Sequence, residues 1–164
     1  MYAKTHVLAG AIAGYLVYPS FLGVGAGMFG GLLSDIDEPE SYIGRLFLII
    51  SIPLKWTLKH RTVTHSLLFL LAMILVTIPI SAYFYSWKLS LAFGAGILTH
   101  MIGDMMTGQI KLFWPHQKSY GIKMPFWLYR IVDGSVRIFL VLFIGYHLIA
   151  SNVFSKLIES SFKL

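Results

Sequence analysis

The chain has 164 residues, of which 57% are hydrophobic and 12% charged, with a net charge of +6 and no cysteine. A soluble domain carries about a quarter charged residues, so this composition, with a mean hydropathy of +0.74, excludes an ordinary soluble globule and points to one integral membrane domain over residues 1–164. The missing cysteine excludes disulfides, thiolate nucleophiles and cysteine-based zinc sites, and in a membrane chain the basic excess follows from the positive-inside rule and anionic lipid, so no nucleic-acid partner is expected.

The N-terminus shows no small-residue cleavage site, and a cleaved signal peptide is not expected. No charged residue occurs between His6 and Asp35. A single helix over that stretch would set the two about 43 Å apart. Pro19 argues against it, because Tyr18 is biased out of the helical region by the proline that follows. Gly23, Gly25, Gly27, Gly30 and Gly31 suit close helix packing. The spacing predicts two short antiparallel helices, about 4–17 and 20–34, each about 21–23 Å long and short for a bilayer core of about 30 Å. Such a re-entrant or partly buried hairpin returns Asp35 to the side of His6.

Ser34 to Ser41 reads as a polar turn, with Asp35 and Asp37 flanking Ile36. Leu46 to Pro53 is apolar but too short to span. With Arg45 before it and Lys55 and Trp56 after it, an interfacial helix over about 46–56 is expected. The run from Ser66 to Trp87, about 22 residues, is long enough to span and is open to a kink at Pro79. Leu89 to Met106 returns, with His100 and Asp104 on its last turns. Thr107 to Arg130 reads as loop or interface, anchored by Trp114, Phe126, Trp127 and Tyr129. A last span has Ile138 to Ile149 as its core, starting near Asp133 and ending near Asn152, before the short tail Ser151 to Leu164. The expected fold is all-α: a polytopic membrane helix bundle with a short N-terminal hairpin, about three longer spans and an interfacial helix. Of the 13 basic residues, Lys88, Lys156 and Lys163 fall on the far side. The others, Lys59 among them, lie on the side of the polar stretches, which puts that side in the cytoplasm of an inner-membrane protein. Basic groups near a site also serve an anionic substrate, so this vote is not purely topological.

Three polar stretches interrupt the apolar sequence: Ser34-Asp35-Ile36-Asp37, His60-Arg61-Thr62-Val63-Thr64-His65 and His100-Met101-Ile102-Gly103-Asp104. Ionisable groups in such a chain are costly and call for a reason. His100 and Asp104, four apart, share a helix face and suit chelation of one ion, or a plain His–Asp hydrogen bond at a helix end. His60 and His65, five apart, cannot share a face of one helix. The planar fork of Arg61 suits a phosphate or carboxylate, against a reading as an ordinary basic patch at the membrane surface. Thr62 or Thr64 offers a cap for the following span, with His65 in its first turn. Asp35 and Asp37 either bind metal or cap and turn the chain. His6 joins them only through the hairpin. Asp133 and Arg137, four apart, predict an ion pair at the membrane edge. His147 reads as structural and His116 as interfacial. Imidazole and carboxylate donors without sulfur suit zinc, manganese or iron. More than four candidates imply two metals, or one metal with catalytic neighbours.

The ordered motifs resemble the YdjM-like family of membrane-bound metal-dependent hydrolases. They are Thr5-His6, Ser34-Asp35-Ile36-Asp37-Glu38-Pro39, His60 through Ser66, Thr99 through Thr107, and Trp114-Pro115. The resemblance runs from about His6 to Pro115. It implies a small multi-span inner-membrane protein with a metal-hydrolase site at His6, Asp35, Asp37, His60, Arg61, His65, His100 and Asp104. The order His, Asp, His, then His-x-x-x-Asp is also similar to zinc-dependent phospholipase C and related phosphodiesterases, an analogy that favours a phosphoester substrate. The expectation is therefore a metal-dependent hydrolase acting on a lipid or lipid-linked phosphoester. A divalent metal, zinc before manganese or iron, would be held by His6, Asp35, Asp37, His65, His100 and Asp104, with His60, Arg61 and Asp37 as catalytic groups. Competing readings are a metal-ion transporter using the same residues, a haem-binding carrier, and a membrane protein in which metal only staples helices.

Overall fold

The computed structural model describes residues 1–57 and 60–150. Over these residues the chain is a helical bundle with one two-stranded antiparallel pair. The N-terminal hairpin forms as expected. α1 spans Ala3–Val17 and α2 spans Phe21–Leu33, and Ser20 caps α2 by accepting from the Gly23 amide at 3.0 Å. The two helices meet through glycine. A Cβ on Gly10 would collide with the Gly27 carbonyl, and one on Gly27 with that of Gly10. The sixth helix, α6 (Trp87–Thr107), joins in the same way: a Cβ on Gly96 would strike the Gly27 carbonyl, and one on Gly30 the carbonyl of Phe93. Lipid tails are as apolar as leucine, so helices in a bilayer associate by close packing more than by exclusion from water. The missing side chains let three backbones touch.

α5 (Leu67–Phe84) packs against the other side of α6. Leu70, Phe93, Ile97, Met101 and Ile110 form the buried apolar cluster between them. Near the far end, the hydroxyls of Ser81 and Ser90 lie 2.7 Å apart. α5, α6 and the last helix, α7 (Phe126–Ala150), are long and apolar enough to cross a membrane.

The structure differs from the sequence expectation at several places. The interfacial stretch is two helices, α3 (Tyr42–Leu46) and α4 (Leu48–Thr57), separated at Phe47. Ser41 caps α3 by accepting from the Gly44 amide at 2.9 Å. Leu48, Ile49, Ile50 and Trp56 of α4 stand exposed, as an interfacial helix requires. Ser66, and neither Thr62 nor Thr64, caps α5, accepting from the Phe69 amide at 3.2 Å. His65 lies in a short 3-10 turn (Val63–His65) before that helix. The stretch read as loop after Thr107 contains β1 (Gln109–Ile110) and β2 (Tyr120–Gly121). α7 begins at Phe126, so Phe126, Trp127 and Tyr129 belong to its first turns. The entry is set by Pro125, whose fixed φ suits a helix start and whose carbonyl accepts from the Tyr129 amide at 3.0 Å. Asn152, the tail Ser151–Leu164 and Lys59, Lys156 and Lys163 lie outside the described residues.

Candidate metal centre

The hairpin, the turn after it, the loop before α5 and the end of α6 meet at one place. His6 comes from the second turn of α1. Asp35 and Asp37 come from a 3-10 turn (Ser34–Asp37) that continues α2. His65 comes from the turn before α5. His100 and Asp104 come from α6, one helical turn apart and on one face. Gly103 leaves room for the His6 ring, whose Cε1 would lie 3.2 Å from a Cβ at that position. His6, Asp37, His65, His100 and Asp104 are all buried.

Asp35, His65 and His100 form one donor group, and Asp104 lies against both imidazoles. His65 Nε2 and His100 Nε2 are 3.2 Å apart. Asp35 Oδ1 lies 3.4 Å from His100 Nε2 and 3.7 Å from His65 Nε2. Asp104 Oδ2 lies 3.4 Å from His65 Nε2 and 4.0 Å from His100 Nε2. Ligands bonded to one ion at about 2.0–2.2 Å with tetrahedral angles sit roughly 3.3–3.6 Å from one another, and these separations bracket that value. The protonation pattern points the same way. His100 Nδ1 lies 2.7 Å from the Gly31 carbonyl, which only accepts, so Nδ1 carries a proton and in the neutral ring Nε2 is bare. That lone pair faces a second imidazole and two carboxylates. Two imidazole nitrogens and two carboxylates make a donor set that a cation would bind, and the cations already beside it, Arg61 and the Met1 amino group, both sit on Asp104. A divalent ion fits the residues present, and the nitrogen–oxygen set suits zinc, manganese or iron.

His6 belongs to a second donor group, with His100 and Asp104. Its ring stacks on His100 at 3.7 Å between centroids, and its Nε2 lies 3.3 Å from Asp104 Oδ1. Neither His6 nitrogen makes a hydrogen bond. His6, His100 and Asp104 thus form a second group able to hold an ion, with His6 Nε2 facing the outer oxygen of Asp104. The Met1 amino group also reaches Asp104 Oδ1, at 2.5 Å. Asp37, expected among the ligands, has both oxygens engaged elsewhere: Oδ1 by His60 Nδ1 at 3.0 Å and Oδ2 by the Thr64 hydroxyl at 3.0 Å. It stands one layer back from Asp35, His65, His100 and Asp104.

Arg61 and His60 form the rim. Arg61 Nε pairs with Asp104 Oδ2 at 2.9 Å, with about a third of the side chain exposed. Its backbone is left-handed, φ 65°, which is uncommon outside glycine and is found where surrounding structure fixes the residue. The Lys111 amide holds it by donating to the Arg61 carbonyl at 3.1 Å. Burial opposes charge on both His65 and His60, with different outcomes. At His65 burial prevails over Asp104 and Asp35 and the pKa falls, so the ring stays neutral, the form a metal ligand needs. At His60 the hydrogen bond and charge of Asp37 prevail and the pKa rises above 6.5.

Asp133 lies at a different polar contact. It is fully buried, its Oδ1 accepts from the Tyr2 amide at 2.8 Å, and Arg137 Nη1 is 4.0 Å from its Oδ2. The expected ion pair with Arg137 is therefore present at its outer limit, and the stronger bond ties α7 to the start of the chain. His116 is exposed in the loop between β1 and β2. His147 lines an apolar crevice of about 210 Å³ between α1 and α7, with Ala11, Tyr15 and Phe143. Sequence reasoning missed the Gly31 carbonyl and Thr64 as partners of the imidazoles. The only signal for Thr64 was its place beside His65, and that was read as a helix cap.

A family model described as "YdjM inner membrane protein" matches residues 1–158. The chain is 34% identical over 134 residues to YvsG, an uncharacterized protein of Bacillus subtilis (strain 168), covering 78% of this chain and 81% of that protein. It is 36% identical over 88 residues to the inner membrane protein YdjM of Escherichia coli (strain K12), covering 51% of this chain and 44% of that protein; YdjM of Shigella flexneri gives the same figures. No solved structure matches.

Proposed function

The chain belongs to the YdjM family of inner membrane proteins, and on that premise we propose that it is a metal-dependent hydrolase acting on a phosphoester of a lipid or lipid-linked substrate. The observation that carries the reading is the acceptor-lined centre: the Nε2 lone pairs of two imidazoles, 3.2 Å apart, beside two carboxylates. Asp35, His65, His100 and Asp104 would hold the ion, zinc before manganese or iron. When bound, it would supply a Lewis acid that acidifies water and stabilises charge on a phosphoryl oxygen.

The chain's own residues divide the remaining work. Arg61 uses Nε on Asp104 and keeps its other donors at the rim, where a phosphate oxygen is within reach of the fork. His60, more exposed and held by Asp37 through Nδ1, is the group that exchanges protons with the leaving oxygen or with solvent. The exposed apolar faces of α3 and α4 and the aromatic start of α7 lie in the membrane surface beside the rim, the depth of a lipid headgroup. Lys4, Arg45, Lys55, Arg61, Lys111, Lys118 and Lys123 share that end of the bundle, which favours the cytoplasmic leaflet.

The test is elemental analysis of protein purified without chelators, followed by assays on lipid phosphoesters in mixed micelles and on metal flux in liposomes. Bound zinc, manganese or iron with phosphoester turnover that EDTA stops supports the reading. Flux without turnover would replace it by a transporter, and tight metal binding with neither would replace it by a structural site.

A further inference from the structure

We infer that Thr64 is a positioning residue: its hydroxyl, held by Asp37, dictates which nitrogen of His65 faces the centre. The inference rests on the metal-site reading and extends it to a residue outside the donor set. Thr64 is buried, and its Oγ1 lies 3.0 Å from Asp37 Oδ2 and 3.0 Å from His65 Nδ1. A hydroxyl has one proton and two lone pairs. An ionised carboxylate only accepts, so that proton goes to Asp37. The hydroxyl then offers His65 only a lone pair, and Nδ1 must carry the proton and donate. In a neutral imidazole this leaves Nε2 bare, and Nε2 is the atom that lies 3.2 Å from His100 Nε2 and 3.4 Å from Asp104 Oδ2.

His100 reaches the same state through a main-chain partner, the Gly31 carbonyl. The two imidazoles are thus oriented independently, one by backbone and one by a side chain. Only the second can be altered by substitution without moving a helix. A free neutral imidazole favours the proton on Nε2, so without Thr64 the His65 ring would turn a proton toward Asp104 Oδ2 and lose its lone pair as a donor. The negative charge of Asp37, passed through the hydroxyl, also raises the basicity of Nε2. Outer partners of this kind are worth about 10–100-fold in metal affinity. The chain Asp37–Thr64–His65 ends on Asp37 Oδ1 at His60 Nδ1, so the group at the rim and the donor in the centre share one carboxylate.

The test compares full-length wild type with Thr64→Val, which keeps shape and loses the hydroxyl, and Thr64→Ser, which keeps the hydroxyl. Zinc affinity is measured by competition with a chromophoric chelator. Thr64→Val should bind about 10–100-fold more weakly, and Thr64→Ser should recover most of the loss. Histidine-selective ¹⁵N NMR on the zinc-free wild type supplies a readout independent of metal and of any variant's folding. It should show His65 protonated on Nδ1 and bare on Nε2. Wild-type affinity in Thr64→Val, or a proton on His65 Nε2 in the wild type, overturns the inference and leaves the metal site standing. A wild type that shows no zinc affinity overturns the metal reading and the role of Thr64 with it.

Discussion

α6 and α7 are both long enough to cross a bilayer, and they are used in opposite ways. α6 buries eleven residues, among them Gly94, Gly96, His100, Gly103, Asp104 and Thr107. In α7, among the described side chains, Asp133 alone is buried, while Ile131, Ile138, Phe139, Leu142 and Ile149 stand exposed. α6 is the less apolar of the two. In water the greasier helix goes inside. In lipid the outside is itself greasy, so the helix rich in small and polar residues takes the centre, where it packs closely and carries His100 and Asp104. Hydropathy here ranks helices by what they show to lipid.

The contrast is broken most completely at Asp104. Asp104→Ala removes a donor from the centre and the partner of Arg61. Bound metal in the purified protein should fall to background, a larger loss than the about 10–100-fold expected for an outer partner. Protein that keeps its metal would exclude Asp104 as a ligand. The second test sets a glycine of the packed centre against one on the lipid face. Gly27→Ala should destabilise by about 1–3 kcal/mol, because the new methyl meets the Gly10 carbonyl. Gly145→Ala on α7 has nothing within 4 Å and should stabilise by about 0.5–1 kcal/mol through helix propensity. Thermal unfolding in one detergent compares both, and equal signs would refute the packing account. Third, α7 is tied at its start by Asp133. Asp133→Ala leaves the Tyr2 amide without its acceptor and should cost about 1–3 kcal/mol, with Asp133→Asn closer to wild type because an oxygen remains.

The smallest effect depends on pH. The folded pKa of His60 lies above its unfolded 6.5, so the His60–Asp37 contact contributes fully below about pH 6.5 and is lost as pH rises through the folded value. The melting temperature of wild type minus that of His60→Gln should be greatest in that acidic range and shrink on going alkaline. A gap that widened with pH would reverse the assignment.

The hairpin was legible because Pro19, the glycines and the uncharged interval from His6 to Asp35 all constrain backbone, and backbone packing is what joins α1 to α2. The convergence of His6, Asp35, His65, His100 and Asp104 was legible because ionisable groups stand out in apolar sequence. The inner and outer layers of the site were not. Asp35 and Asp37 look alike in sequence, and only the turn of a 3-10 segment sends one to the centre and the other to Thr64. The start of α7 was misread because Phe126, Trp127 and Tyr129 are suited to the membrane surface in a loop or in a helix. Pro125, inside the stretch read as loop or interface, is the helix-start signal. Arg61 in left-handed backbone carried no signal, since the partner of its carbonyl, the Lys111 amide, comes from a distant part of the chain.

Asp35, His65, His100 and Asp104 enter the chain in that order. During synthesis the hairpin and α5 are already made while the pocket still lacks half of its ligands. Only when α6 slides its glycines against α2 do His100 and Asp104 arrive together, one turn apart. A metal bound at this centre would therefore be captured only after α6 is in place, and its presence would report that α6 had docked on the hairpin.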